Sequence, residues 1–148
     1  MSSIDLFTIG FKKKSAKDFF GKLIKVGVKL VIDVRLNNTS HLAGFTKKAH
    51  LGYFLRNIGG IEYIHRSDLA PTKEMLDAYD KGTGDWPTYE KQFIALISER
   101  KIEEKLNKDL MDHACFLCSE EEPIKCHRRL VAEYLQKKWG NIEIHHIV

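Results

Sequence analysis

Hydrophobic positions along this chain follow two spacings, and each spacing predicts a different kind of element. Residues 28–34 form a run rich in β-branched side chains, which is the composition of a strand buried on both faces of a parallel sheet. Shorter apolar runs over 4–9, 61–65, 114–118 and 142–147 predict four more strands. The chain is therefore expected to contain about five strands, separated by segments of another pattern.

Those segments carry apolar residues at helical spacing, with start and stop signals at their ends. Ser15, with Asp18 three residues later, predicts a capping box that opens a helix closed at Gly27. We expect Thr46 to cap a second helix, which stops at residues 59–60 because both are glycine. Further helices are predicted after Pro71, through 89–97 and over 126–139, and the charged segment 99–108 is expected to be a solvated tail or a short helix.

The alternation of strands and helices predicts the fold class. We expect an α/β protein in which residues 1–148 form a single domain, with a mainly parallel sheet of about five strands sandwiched between helices. Open parallel sheets bind ligands at the carboxyl ends of their strands. The polar residues predicted to reach that edge are Asp33, Arg35, His65, Arg66, Cys118, Ser119 and Glu120.

The composition is that of an ordinary soluble protein. A net charge of +4 mildly favours anionic partners, but it falls short of the concentrated basic stripe of a dedicated nucleic-acid binder. No window approaches the roughly 18 apolar residues of a membrane span, and no charged leader precedes an apolar stretch. We therefore expect a cytoplasmic protein without a membrane partner. The odd number of cysteines, 3, favours free thiols over a disulfide framework.

The segment 118–129 is the most informative part of the chain, because it leads from a strand into a helix. The helix is predicted to open with the basic run 125–129, although the positive end of a helix macrodipole favours acidic residues. Cations at that end imply a bound anion, such as a phosphate held by backbone N–H groups and one or two arginines. We expect Arg35 and Arg128 to bind it; an ion pair with the acidic run 120–122 is the alternative for Arg128.

Three residues at this junction are candidates for proton transfer or nucleophilic catalysis, namely Glu120, Cys126 and His127. Cys126 at a helix start can be a nucleophile with a lowered pKa, helped by His127 or Arg128; a half-buried structural cysteine is the alternative. Glu120 can act as a general base or orient Arg128, with surface solvation as the alternative.

Supporting roles are expected for the polar residues that follow the strands, namely Asp33, His65, Cys118 and Ser119. Asp33 follows an apolar strand, and a pair with Arg35 is its structural alternative. Both His65 and His127 have hydrogen-bonded structural roles as alternatives. Arg129 is expected to pair with Glu133, because the two are four residues apart on a predicted helix.

A zinc site is disfavoured on geometric grounds. Cys115 and Cys118 form a C-x-x-C sequence, but residues three apart in a strand project to opposite faces of the sheet. Adjacent Cys126 and His127 are not expected to turn to one metal, and thioredoxin-type redox chemistry requires its cysteine pair to open a helix. We therefore expect neither a metal nor a cofactor.

Several motifs lie at the ends of the predicted strands. They are Thr-Ile-Gly at 8–10, Asp-Val-Arg at 33–35, and the segment 117–128, which runs from Leu-Cys-Ser-Glu to Cys-His-Arg, accompanied by Phe45, Tyr63, His65 and Leu69. Together they resemble the domain-of-unknown-function 488 family over nearly the whole chain. One departure is Phe11 with Lys12, where the family typically has a histidine and a small hydroxyl residue. The resemblance implies an uncharacterised α/β domain without an established activity.

Two functions from different classes remain open. The first is an enzyme acting on a phosphorylated or otherwise anionic substrate, with Arg35 and Arg128 binding the charge. The second is a noncatalytic module for a nucleotide or nucleic acid, in which the basic segment 46–48 widens the contact. Exposed aromatic rings beside the arginines would favour the second function, whereas a closed concave site would favour the first.

Overall fold

Five parallel strands form the centre of the protein. The structure is a computed structural model, and it describes residues 3–36, 48–80, 85–118 and 126–148. The strands are β1 (Ile4–Gly10), β2 (Leu30–Asp33), β3 (Glu62–His65), β4 (Ala114–Cys118) and β5 (Ile142–Ile147). They lie in the order β3-β2-β4-β1-β5, and every neighbouring pair is parallel. The predicted α/β fold with a mainly parallel sheet is confirmed.

Helices cover both faces of this sheet. They are α1 (Ala16–Val26), α2 (Lys48–Gly59), α3 (Lys73–Asp80), α4 (Trp86–Glu99), α5 (Ile102–Lys105) and α6 (His127–Trp139). The apolar cluster on one face joins α1 and α2 to the strands through residues such as Phe19 and Leu55. The cluster on the other face joins α4 and α6 to the strands through residues such as Phe93 and Leu130. Within the described ranges, no helix combines the length and the apolar character that crossing a membrane would need.

Capping residues explain where helix α1 begins and ends. The hydroxyl of Ser15 accepts a hydrogen bond from the backbone N–H of Asp18, and Gly27 ends α1 in a left-handed conformation with φ of 81°. Both signals were predicted. The charged segment 99–108 contains the short helix α5, and its Ile102 is fully buried. Thr46, the predicted cap of α2, lies outside the described residues.

The position of β4 determines what meets at the carboxyl end of the sheet. Although β4 is fourth along the chain, it lies between β1 and β2. Gly10 at the end of β1 is opposite Cys118, and Asp33 at the end of β2 is opposite Leu117. The ends of three strands therefore lie side by side, with Cys118 at the centre.

Candidate functional site

The carboxyl edge, as we name the surroundings of Phe11, Asp33–Arg35, His65, Cys118 and Cys126–Arg128, contains most of the predicted site residues. Backbone pairing continues past the strands here, since the N–H of Phe11 donates to the carbonyl of Cys118 and that of Val34 to Leu117. These bonds hold the loops after β1 and β2 against the end of β4. The start of α6 packs over the same place, because Cys126 and Leu130 belong to the apolar cluster that contains Cys118.

Asp33 and Arg35 form a buried ion pair within this edge. Arg35 Nε donates to Asp33 Oδ1 over 2.8 Å, and Arg35 Nη2 donates to Oδ2 over 2.7 Å. The backbone N–H of Arg35 and the hydroxyl of Tyr63 also donate to the Asp33 carboxylate. The pairing that the sequence offered as the structural alternative for Asp33 is therefore present.

This pair fixes the arginine in the edge. Burial by itself lowers the pKa of Arg35, but the hydrogen bonds and charge of Asp33 outweigh burial, and the pKa of the guanidinium is raised. The guanidinium also lies over the ring of Phe11, with its carbon 5.3 Å from the ring centre. The Phe11 ring therefore contributes packing at this edge rather than a polar group.

The imidazole of His127 is held between two different elements. Its Nε2 donates to the backbone carbonyl of Val34 over 2.7 Å, and its Nδ1 lies 3.5 Å from Cys118 Sγ. Because a carbonyl can only accept, Nε2 carries the proton, and in the neutral ring Nδ1 is the acceptor. Cys118 Sγ also lies 3.9 Å from Nε2, so the thiol lies against the face of the ring, near both nitrogens. The ring is 7% exposed, so it is positioned inside the edge rather than in solvent.

Cys126 lies just before α6 rather than in its first turn. It is the N-cap residue, with an extended backbone at φ of −140° and ψ of 138°, and it is 3% exposed. Burial raises the pKa of its thiol well above the ordinary value, and a hydrogen bond with Cys118 raises it further, while the charges of His127 and Arg128 act in the opposite direction. The lowered pKa expected from the sequence is wrong, because desolvation outweighs the nearby positive charge.

Cys118, Cys126 and His127 form a compact group of potential ligands, which we call the thiol–imidazole group. Their ligand atoms all lie within 4.8 Å of one another, and all three residues are buried. The expectation that Cys126 and His127 would not face one point is therefore wrong. It assumed a helical backbone at both residues, whereas the extended backbone of Cys126 gives its side chain a different direction.

Cys115 belongs to the opposite face of the sheet. It packs in the cluster of α1 and α2, whereas Cys118 packs in the cluster of α4 and α6. This separation confirms the prediction from strand geometry that the two cysteines of the C-x-x-C sequence point apart.

Arg128 is fully buried beneath α6, with an exposed fraction of 0%. Its Nε donates to Thr8 Oγ1 over 3.3 Å, and that hydroxyl shares a hydrogen bond with His146 Nδ1 over 2.6 Å. Burial lowers the pKa of His146, and the charge of Arg128 lowers it further. The same charge favours the thiolate form of Cys126. Arg128 therefore brings a guanidinium group to the buried side of the carboxyl edge.

Of the remaining predicted residues, two have structural roles and two lie outside the described residues. His65 Nε2 donates to the backbone carbonyl of Arg35 over 2.7 Å, so it has the structural role given as its alternative. Arg129 pairs with Glu133 as predicted, through its Nη1 at 3.1 Å. Ser119 and Glu120 lie outside the described residues.

Three contributors to the edge were not among the predicted site residues. Tyr63 had a signal in the family pattern, but its bond to Asp33 joins residues that are 30 positions apart. The carbonyl of Val34 has no signal in the sequence, because every residue has one. Thr8 lies in a predicted strand, and its contact with Arg128 spans 120 positions.

Comparison with known proteins places the chain in a family. The family model described as "Domain of unknown function DUF488" matches residues 15–135, which include α1, all of β2 to β4 and most of α6. The matched range also includes every residue of the thiol–imidazole group. Neither the curated proteins nor the solved structures gave a match. Because the family model covers most of the chain, the protein belongs to the DUF488 family.

Proposed function

We propose that the protein is an enzyme that acts on a phosphorylated or otherwise anionic substrate at the carboxyl edge. The observation that carries the proposal is the position of His127, whose ring is hydrogen-bonded to Val34 through Nε2 and lies against the thiol of Cys118. An imidazole of defined tautomer beside thiols is the arrangement that nucleophilic, acid–base and metal-assisted enzymes share. A purely structural cysteine does not require it, as Cys115 on the other face illustrates.

An anionic substrate is favoured by the charges around this group. Arg128 places a buried positive charge next to it, and that charge favours the negative form of Cys126. The thiol–imidazole group also lies at the start of α6, where the helix macrodipole is positive. Both effects stabilise an anion bound at the same place.

The noncatalytic nucleic-acid function receives less support from the aromatic residues. Base stacking requires an exposed ring beside the cationic groups. Phe11, the ring that lies against Arg35, is 4% exposed and is therefore occupied by internal packing. The enzyme is thus the better interpretation of this edge.

The proposal is tested with pairs of compounds, each a phosphorylated metabolite and its unphosphorylated parent. A ligand that binds the native state raises the melting temperature. We expect at least one phosphorylated compound to do so while its parent does not, and we expect the protein to convert that compound to a product. If no phosphorylated compound stabilises the protein more than its parent, the proposal is wrong.

Two neighbouring arginines provide a matched pair of variants for the compound found in this way. Arg128→Met removes the buried charge and should weaken binding by roughly tenfold or more, the scale of a lost interaction with a charged group. Arg129→Met removes a charge that pairs with Glu133 and Glu90, and should leave binding unchanged. His127→Gln should retain binding and lose turnover. Equal affinity in the two folded arginine variants would contradict the role given to Arg128.

A further inference from the structure

The thiol–imidazole group combines three side chains from three different local structures. Cys118 ends a strand that is paired on both sides, Cys126 is an extended N-cap, and His127 is the first residue of α6. We propose that these three residues bind a zinc ion and leave its fourth coordination position open. The proposal revises the expectation from the sequence that the protein holds no metal.

The spacing of the ligand atoms fits this ion. Zinc binds thiolate sulfur at about 2.3 Å and imidazole nitrogen at about 2.0–2.1 Å, usually with tetrahedral geometry. Those lengths place a sulfur and a nitrogen ligand about 3.6 Å apart. Cys118 Sγ and His127 Nδ1 lie 3.5 Å apart, and all the ligand atoms of the group are within 4.8 Å of one another. A rotation of the His127 ring that turns the Nδ1 lone pair toward the thiols, together with movements of the two sulfurs, would bring these atoms around one ion.

The hydrogen bond of His127 to Val34 has the form expected of a metal ligand. Histidines that bind metals usually donate their other ring N–H to a carboxylate or a backbone carbonyl, which fixes the tautomer and the ring orientation. His127 Nε2 donates to the Val34 carbonyl over 2.7 Å, which leaves Nδ1 as the nitrogen that can bind an ion. The tautomer required for binding is therefore set before any ion arrives.

The net charge of an occupied zinc site is compatible with the buried Arg128 beside it. Two thiolates and one divalent zinc ion have no net charge, so the occupied site adds little repulsion to Arg128. Sulfur ligands select zinc or other thiophilic ions over magnesium and calcium, which prefer oxygen.

Another group of potential ligands lies at the opposite end of the sheet but carries less weight. It consists of Asp5 with Asp112 and His113, or with Glu143 and His145, and it is partly exposed. Asp5 already accepts a hydrogen bond from His145, and Asp112 accepts one from the backbone of Asp5. Exposed acidic side chains of this kind are common without a metal.

An open fourth position gives the ion a chemical role. Zinc with three protein ligands accepts a water molecule or a substrate oxygen, and it stabilises negative charge on that oxygen. As an account of the reaction, this inference rests on the proposed function, because the anionic substrate would supply that oxygen. As a metal site it stands on the geometry alone, so its test needs no substrate.

The test uses the full chain, stripped of metal and kept reduced, and titrated with Co²⁺ as a spectroscopic substitute for zinc. We expect thiolate-to-cobalt charge-transfer absorption together with the visible bands of a tetrahedral centre, and we expect zinc to displace the cobalt. The three cysteines provide matched variants. Cys118→Ala and Cys126→Ala should lose these bands, and Cys115→Ala should keep them, because Cys115 lies on the other face of the sheet.

Unchanged bands in Cys118→Ala and Cys126→Ala, or their absence in the unmodified protein, would overturn the proposal. X-ray absorption of the unmodified protein loaded with zinc gives a second readout that does not depend on how the variants fold. Two sulfur ligands at about 2.3 Å are expected, and a shell of nitrogen and oxygen alone would overturn the site. If zinc binds but no phosphorylated compound does, the metal site stands and the proposed function fails. If a phosphorylated compound binds and zinc does not, the reverse holds.

Discussion

Asp33 accepts four hydrogen bonds although its side chain is fully buried. Three of them come from Arg35 and one comes from the hydroxyl of Tyr63. A buried carboxylate is tolerated when it is paired and hydrogen-bonded in this way. Asp33 thus supplies the internal anion for Arg35, while the thiol–imidazole group lies at the end of the neighbouring strand β4.

The hydrogen bonds to Asp33 predict that substitutions within this network lower the free energy of unfolding more than a control substitution of an exposed tyrosine does. Asp33→Asn leaves the buried Arg35 without its charge partner and should lower the free energy of unfolding by about 3–5 kcal/mol. Tyr63→Phe removes one hydrogen bond to a charged group and should lower it by about 1.5–3 kcal/mol. Tyr53→Phe is the control, because that ring is 66% exposed. Urea unfolding measures all three, and a Tyr63→Phe protein as stable as Tyr53→Phe would contradict the network.

For individual residues, the sequence predicts which side chains reach the carboxyl edge better than it predicts the chemical role of each. Asp33 and Arg35 are two positions apart, so their pairing could be proposed from the sequence alone. The pKa of Cys126 could not be, since it depends on burial by residues distant in the chain. Helix-end electrostatics favoured a lowered pKa, but a 3% exposed thiol is dominated by desolvation.

Among the elements, α1 shows most directly how local sequence determines structure. Ser15 caps its start, Gly27 caps its end, and Phe19 and Leu23 on the buried side pack against the sheet. Two glycines in this region have opposite environments. A Cβ added to Gly21 within the helix would meet nothing within 4 Å, whereas Gly27 has φ of 81°, which side chains rarely adopt.

Alanine at these two glycines is therefore expected to change stability in opposite directions. Gly21→Ala should stabilise the protein by about 0.5–1 kcal/mol, because alanine loses less backbone entropy in a helix. Gly27→Ala should destabilise it by about 1–2 kcal/mol, the cost of a left-handed conformation for a residue with a Cβ. Urea unfolding of both variants provides the comparison. A Gly27→Ala protein as stable as the unmodified chain would mean that α1 ends differently.

The elements also show where prediction from sequence fails. Periodicity and capping signals predicted the five strands and the ends of α1, because those features are encoded within a few residues. The junction before α6 was predicted less well. Cys126 has an extended backbone rather than a helical one, and this single difference brings its side chain to Cys118 and His127.

At the level of the whole molecule, the order of the strands in the sheet brings the site residues together. The sequence predicted a parallel sheet but did not determine that β4 lies between β1 and β2. Strand order depends on packing between residues that are distant in the chain, because the sequence of one apolar strand is compatible with any central position in the sheet. The central position of β4 surrounds Cys118 with the loops after β1 and β2 and with the start of α6.

Ligand binding at the carboxyl edge can be followed by NMR in a phosphate titration of ¹⁵N-labelled protein. We expect the amide signals of Phe11, Val34 and Cys126–Arg128 to shift as phosphate is added. The basic residues Lys29 and His113, joined by a backbone bond at the opposite end of the sheet, serve as internal controls and should not shift. Shifts centred on Lys29 and His113, with none at the carboxyl edge, would contradict this expectation.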